Sequence, residues 1–493
     1  MRSRLCYWIL VIVPFVVFCP AILREYGMRD DYALIREAKE EPGKIVRFIT
    51  AQGRPLFGAM LESSFSRIDS VEELKYLRLI SVGLLALLGV ILWRHLDTNG
   101  WPQWDALALA LAITLLPAAQ IMVGWALLWP LICSLILSVA GFLAVETELA
   151  KGGLKRGMGI VGGIIIYMLA TLIYQPNAMF AVVMIAATVL PRVRTRTRSE
   201  LKRWFGWHLA ILFVALLFSF LFLKLIFSGG GVQESSRIVF ESHFFSKLVF
   251  LFSHPLPNAL ALYVLRCDFH TGAIFFWLTV VGVVAFFSWI VPNEQENDGG
   301  SERLKWWLCL AVLPWVALAI SIIAAEHSTG YRTLFPLSGL VVVIVFACLR
   351  HLPLDPEIEP RIRYVAMGAI VLFAAILAGW NTSELIAKPQ AREWNIIREA
   401  VLKASFKEMT RFYLIEPGIE DRSTNLMHSD EFGSMSTDSD WVPQEMFKAV
   451  LRIRFPKGVP KGYKYELTRG KAEPAPGTYD VLIDMRELKR WRE

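Results

Sequence analysis

The feature that most constrains this chain is the recurrence of long apolar runs separated by short loops. They fall at residues 5–23, 77–93, 106–119, 127–145, 158–174, 178–190, 209–227, 272–291, 306–324, 334–349 and 364–380. A bilayer crossing takes roughly 20 apolar residues, so these runs predict about eleven transmembrane helices. The expected fold class is therefore an α-helical polytopic membrane protein. Residues 178–190 are short for a span, and that helix is expected to begin inside the protein rather than in lipid. Composition agrees: 55% of the 493 residues are hydrophobic and 19% charged, while 17 Trp and 31 Phe can furnish interfacial belts.

Charge then orients the runs. Arg94, then Lys151, Lys155 and Arg156, then Arg192 to Arg203, then Arg303 and Lys305, then Arg350, Arg361 and Arg363 all fall in alternate loops. Short positive loops stay in the cytoplasm, so the N-terminus is expected there too, behind Arg2 and Arg4. The run at 5–23 has no small-x-small cleavage site after it and reads as a first span rather than a leader. By this parity, residues 1–380 form the membrane domain, with outer loops at 24–75, 228–271 and 326–333. Residues 381–493 form a domain outside the cytoplasm. The net charge of +7 is a topology signal. No basic face is interleaved with aromatics, so nucleic acid is not an expected partner, whereas membrane lipids are. The six cysteines lie in or beside apolar runs, with no C-x-x-C and no metal spacing, and the tail has none.

Against that background the segment 24–75 stands out, because Arg29-Asp30-Asp31-Tyr32 puts two carboxylates at a membrane edge. Such a pair is costly unless it faces water, a cation or a substrate. Residues 32–38 are expected to form a helix capped by Asp30 or Asp31 and stopped at Pro42-Gly43. A second short helix with Ile45, Val46, Phe48 and Ile49 should lie along the interface, and Pro55 should open a third over 56–65. Adjacent carboxylates cannot share one helix face, so one is expected to serve chemistry and the other to cap. Arg29, Arg54 and Arg332 are candidate phosphate ligands, since a guanidinium can bind phosphate oxygens through a bidentate fork. Gln175 and Asn177 in Tyr174-Gln175-Pro176-Asn177 must face a cavity or another helix, not lipid. His327, in the turn 326–332, has no second histidine nearby, and no metal site is expected.

The tail reads as a small α/β domain of about a hundred residues. It has a helix over 390–406 after Pro389, strands at 411–415 and 479–483, and a helix over 443–453 between them. Asp430-Glu431-Phe432-Gly433 resembles a kinase motif by accident, because no glycine-rich loop accompanies it.

These features resemble the C-type membrane glycosyltransferases (GT-C). More narrowly, Asp30-Asp31, Gly53-Arg54-Pro55-Leu56, Tyr174-Gln175 and Tyr331-Arg332 resemble the polytopic glucosyltransferases that modify bacterial O-antigen. The resemblance covers residues 1–380 and leaves the tail unassigned. It implies a polyprenyl-phosphate-linked sugar donor, often glucose, and a lipid-linked glycan acceptor on the periplasmic face of a bacterial inner membrane. It further implies inverting hexosyl transfer in the building of lipopolysaccharide and the cell envelope. By the same resemblance Asp30 and Asp31 are the catalytic residues, the pair supplying the base, and Arg29, Arg54, Tyr174, Gln175, Tyr331 and Arg332 bind substrate. No cofactor is implied. Divalent metal dependence stays open, since the acidic pair is adjacent and not the spaced Asp-x-Asp. A transporter or flippase, or a polymerase of lipid-linked sugars, is the alternative. A mere anchor needs far fewer spans.

Overall fold

The computed structural model describes residues 2–149, 156–191, 197–235, 239–290, 299–327, 330–352, 359–417, 430–486 and 488. Lys151, Lys155, Arg192, Arg194 and Arg196 of the orientation argument lie outside the described residues. Helices dominate, and a three-stranded sheet closes the C-terminal end of the chain.

The count of about eleven spans is not reached. Among the described residues four helices are long and apolar enough to cross a membrane: Leu74–Thr98, Ala126–Leu149, Arg198–Ser228 and Glu359–Lys403. A bent pair, Gln103–Thr114 with Pro117–Gly124, makes a fifth if taken as one span. Ser3–Val17, Gly157–Ile173, Gln175–Val189, Phe269–Gly282 and Phe335–Arg350 are apolar but shorter. The physical reason is that several apolar runs are broken. Pro20 follows a break at Phe18, so the first run splits into Arg2–Val17 and Cys19–Leu23. Pro117 cannot continue the preceding helix and bends that pair by 54°. Residues 299–323 form four short pieces, one a π-turn over Leu308–Val312 just ahead of Pro314. Ala181–Val189 is buried along its whole length.

The segment 24–75 folds as three helices, Asp30–Glu40, Lys44–Ala51 and Pro55–Phe65. The expected aspartate N-cap is corrected: Arg29 holds that position, and Asp30 and Asp31 occupy the first turn. Carboxylates there still favour the helix through its dipole. Gly43 turns the chain at φ 80°, and Glu62 accepts from Gly43 N (2.6 Å) and Val46 N (3.2 Å), capping the second helix from the third. Gly53, at φ 79°, makes the next turn.

In the tail, the strand Met409–Ile415 is central, flanked in parallel by Lys464–Gly470 and Val481–Asp484. The first flanking strand was not anticipated: its Lys-Tyr-Glu-Leu-Thr-Arg sequence sits at a half-exposed edge and has no strong apolar alternation. The helices Lys388–Lys403 and Val442–Arg454 carry the core residues Trp394, Ile397, Val401, Phe447 and Val450. The first is continuous with Glu359–Trp380 through a π-turn, Asn381–Ala387. The tail docks on the first loop, where Trp394 stacks on Tyr32 at 5.6 Å and donates to Glu25 at 3.0 Å.

Candidate functional site

The site forms where the first loop, the ends of several apolar helices and the tail meet. Asp31 is fully buried and accepts from Met28 N (3.0 Å) and Leu127 N (3.1 Å). Burial pushes its carboxyl up to about 7, against the pull of Arg78 and of those backbone donors. It thus stitches the loop to the turn after Gly124. Tyr26 does the same one turn earlier, donating to Gly124 O at 2.9 Å while Arg78 lies 3.6 Å from its ring centroid. Asp30 is exposed and lines the cavity described below. Neighbours on a helix point about 100° apart, so one acid is spent on backbone while the other faces the cavity.

That stitching brings Arg29 to Trp125. Arg29 has φ 45°, a left-handed conformation that costs energy for a side chain with a Cβ. Its N–H donates to Ser436 Oγ of the tail at 2.8 Å, and its guanidinium lies 5.9 Å from the Trp125 ring centroid. Arg332 lies 5.2 Å from the same ring and pairs with Glu431 at 2.9 Å. Arg54 completes the set, 4.6 Å from the Tyr174 ring. Three guanidiniums therefore lie over two aromatic rings, an attractive arrangement that also fixes their planes.

Gln175 holds the neighbouring backbone by donating to Gly53 O at 2.5 Å, with a longer 3.4 Å contact to Arg54 Nε. Asn177 donates to Leu131 O at 2.9 Å, the plain helix-to-helix bond. Tyr331 is buried, donates its N–H to Asp430 at 2.6 Å and meets Phe432 edge-on at 5.5 Å. A Cβ on Gly330 would fall 2.6 Å from Asp430 Oδ2, so glycine lets the acid reach the turn. Burial pushes the Asp430 carboxyl up to about 8, with Glu431 beside it adding to the rise. His327 instead pairs with Glu241 at 2.9 Å, and among the described residues no cluster is placed to hold a metal.

These residues enclose a cavity of about 630 Å³. Of the sequence-stated candidates, Arg29, Asp30, Arg54, Tyr174 and Arg332 line it; Asp31, Gln175 and Tyr331 support it from behind. One wall is apolar, with Phe48, Ile49, Phe57, Leu61, Leu128 and Leu131, and the opposite rim is Ser439, Trp441 and Glu445 of the tail. Trp125 sits in an apolar stretch like any belt tryptophan, and nothing local in the sequence singles it out. The tail residues likewise carry no local signal, and the only pattern Asp430-Glu431 presents is the accidental kinase-like one. Chemically, the cavity offers clustered cations for an anion, an apolar wall beside them, and an exposed carboxylate.

No family model matches the chain, and no curated protein matches it. Among solved structures, it is similar to the oligosaccharyltransferase of Archaeoglobus fulgidus. In complex with zinc and sulfate that protein gives a TM-score of 0.41 at 13% identity, covering 89% of this chain and 61% of the other. Tethered by a disulfide to an acceptor peptide with the NVT sequon, it gives 0.43 at 13%, covering 90% and 63%. The archaeal oligosaccharyltransferase AglB from the same organism, with an inhibitory peptide and a dolichol-phosphate, gives 0.42 at 11%, covering 90% and 63%. This chain thus spans less than two thirds of the length of those proteins, and at such scores its own geometry has to carry any functional reading.

Proposed function

We propose that the protein is a membrane glycosyltransferase. It moves a hexose, glucose by the family resemblance, from a polyprenyl-phosphate donor to a lipid-linked glycan such as O-antigen on the periplasmic face. The observation that carries this reading is the meeting of Arg29, Arg54 and Arg332 with Asp30 in one cavity that has an apolar wall. A lipid phosphate needs cations for its head and apolar surface for its chain, and the cavity supplies both. In the proposed reaction, an acceptor hydroxyl attacks the anomeric carbon on the face opposite the lipid phosphate, inverting it. Asp30 takes the hydroxyl proton, and the C–O bond to phosphate breaks. The charge gathering on the departing phosphate is met by guanidiniums already fixed over Trp125 and Tyr174. Asp31 acts through backbone, as a positioning residue.

The test is transfer from a radiolabelled polyprenyl-phosphate hexose in membranes. Asp30→Asn should lose about 10²–10⁴-fold in turnover with donor binding retained, as removal of a general base does. Asp31→Asn should instead lower stability first. Undiminished transfer by Asp30→Asn would remove the base assigned here. A lipid-sugar carrier is the second reading, favoured by the 54° break between Gln103–Thr114 and Pro117–Gly124, since broken helices line carrier sites. Donor movement across vesicles without any glycosidic product would select it.

A further inference from the structure

The cavity rim supplied by the tail has a different chemistry from the arginine end. Trp441 lines the cavity with 43% of its surface exposed, so part of its indole is open to whatever the cavity holds. Its loop is not loose. Buried Glu393 accepts from Ser436 N at 2.8 Å and Thr437 N at 3.1 Å, and Ser436 Oγ in turn receives the N–H of Arg29. Trp441 then stands at the residue before the helix Val442–Arg454, whose first turn carries Glu445. The carboxylates beside it are charge-compensated: Glu445 is held by Arg36 Nε and by Lys448, each at 2.8 Å, and Glu37 by Lys44 at 2.7 Å. An anion would choose the arginine end. Here the wall is polar, nearly neutral and rich in acceptors, since a carboxylate has about four lone-pair positions and the pairs above use only some of them.

We propose that Trp441, with Ser439 and Glu445, is the platform for an uncharged pyranose of the acceptor. The weakly positive C–H face of such a ring packs on the negative face of an indole, and its hydroxyls donate to carboxylate oxygens and to a serine hydroxyl. Trp441 and Glu445 stand on the tail while Asp30 stands on the first loop, so a sugar seated on the tail rim presents its hydroxyl across the cavity to that acid. The assignment deepens the transferase reading and rests on it for the word acceptor. The saccharide site itself does not depend on turnover.

It is therefore tested without donor. Lipid-free, uncharged hexose and N-acetylhexosamine oligosaccharides are added to the full chain in nanodiscs, and saturation transfer from protein to sugar is read by NMR, with a simple alanine-rich peptide in parallel. Wild type should bind a saccharide, and Trp441→Ala should weaken it about tenfold or more, the loss typical of an aromatic anchor covered by its ligand. Trp441→Phe, which keeps an aromatic face and guards against misfolding, should retain most of the binding. Inorganic phosphate, which competes for the arginine end, should leave it unchanged. Equal binding by wild type and Trp441→Ala, displacement of the saccharide by phosphate, binding of the peptide alone, or no saccharide bound by wild type would each overturn the platform. If transfer from polyprenyl-phosphate hexose fails while saccharide binding still follows Trp441, the donor reading falls and the platform stands.

Discussion

The two walls of the cavity come from opposite ends of the chain and are held by different physics. The first-loop wall, with Arg29, Asp30 and Arg54, is fixed by neutral backbone bonding: Asp31 to Met28 and Leu127, and Gln175 to Gly53. The tail wall is fixed by acids against cations: Glu431 on Arg332 and Glu445 on Arg36. A carboxyl that accepts from backbone N–H groups keeps acceptor capacity when it is protonated, although its titration still moves stability. Ion pairs hold it only while both partners stay charged and dry, so the two walls should respond differently to mutation and to pH.

The largest expected difference follows from Arg332→Ala. It leaves Glu431, only 3% exposed, without its cation, and breaking such a pair costs up to about 3–5 kcal/mol. The double variant with Glu431→Ala should regain most of the melting temperature but not the donor affinity. Thermal unfolding and donor titration separate the two, and recovery of donor affinity would break the distinction between stabilising and binding roles.

A smaller effect concerns pH. The carboxyls of Asp31 and Glu393 are pushed up to about 7, and that of Asp430 to about 8, in each case chiefly by burial. Between the ordinary carboxyl value near 4 and these values the folded protein binds more protons than the unfolded chain. Stability should therefore fall as pH rises from about 4 to about 7 or 8 and level off above, the opposite of acid denaturation. Asp430→Asn should flatten the upper part of the melting-temperature profile, and Asp31→Asn the lower part. A profile that rises with pH would refute the assignment.

The smallest concerns Trp125. Trp125→Leu removes the ring beneath two guanidiniums, and cation–π contacts are worth about 0.5–2 kcal/mol. Donor KM should rise by a corresponding factor with kcat nearly unchanged. A fall in kcat instead would mean that the ring touches the reacting atoms.

The first-loop wall was legible in the sequence because charge beside apolar runs is out of place: Arg29, Asp30 and Arg54 announce themselves. So do the helix breaks at Pro42-Gly43 and Gly53-Arg54-Pro55, both of which the fold uses. The tail wall was illegible for the converse reason. Asp430, Glu431 and Glu445 are unremarkable in a polar domain, and only long-range packing brings them to the cavity. Span counting suffered from treating apolar length as continuous, when Pro20, Pro117 and Pro314 lie beside the breaks. The pairing of Trp125 with two arginines left no local pattern at all.

The apolar helix Glu359–Trp380 does not stop there: with its π-turn it runs 45 residues, from Glu359 to Lys403. It carries Gln390 and Glu393, which grip the Ser434–Thr437 loop, and that loop grips Arg29. The helix is thus a strut between an apolar segment of membrane-crossing length and the mouth of the cavity, with its irregular turn at Asn381–Ala387 between the two. Through these contacts the cavity rim at Arg29 is tied to the same continuous helix that carries the apolar segment Glu359–Trp380.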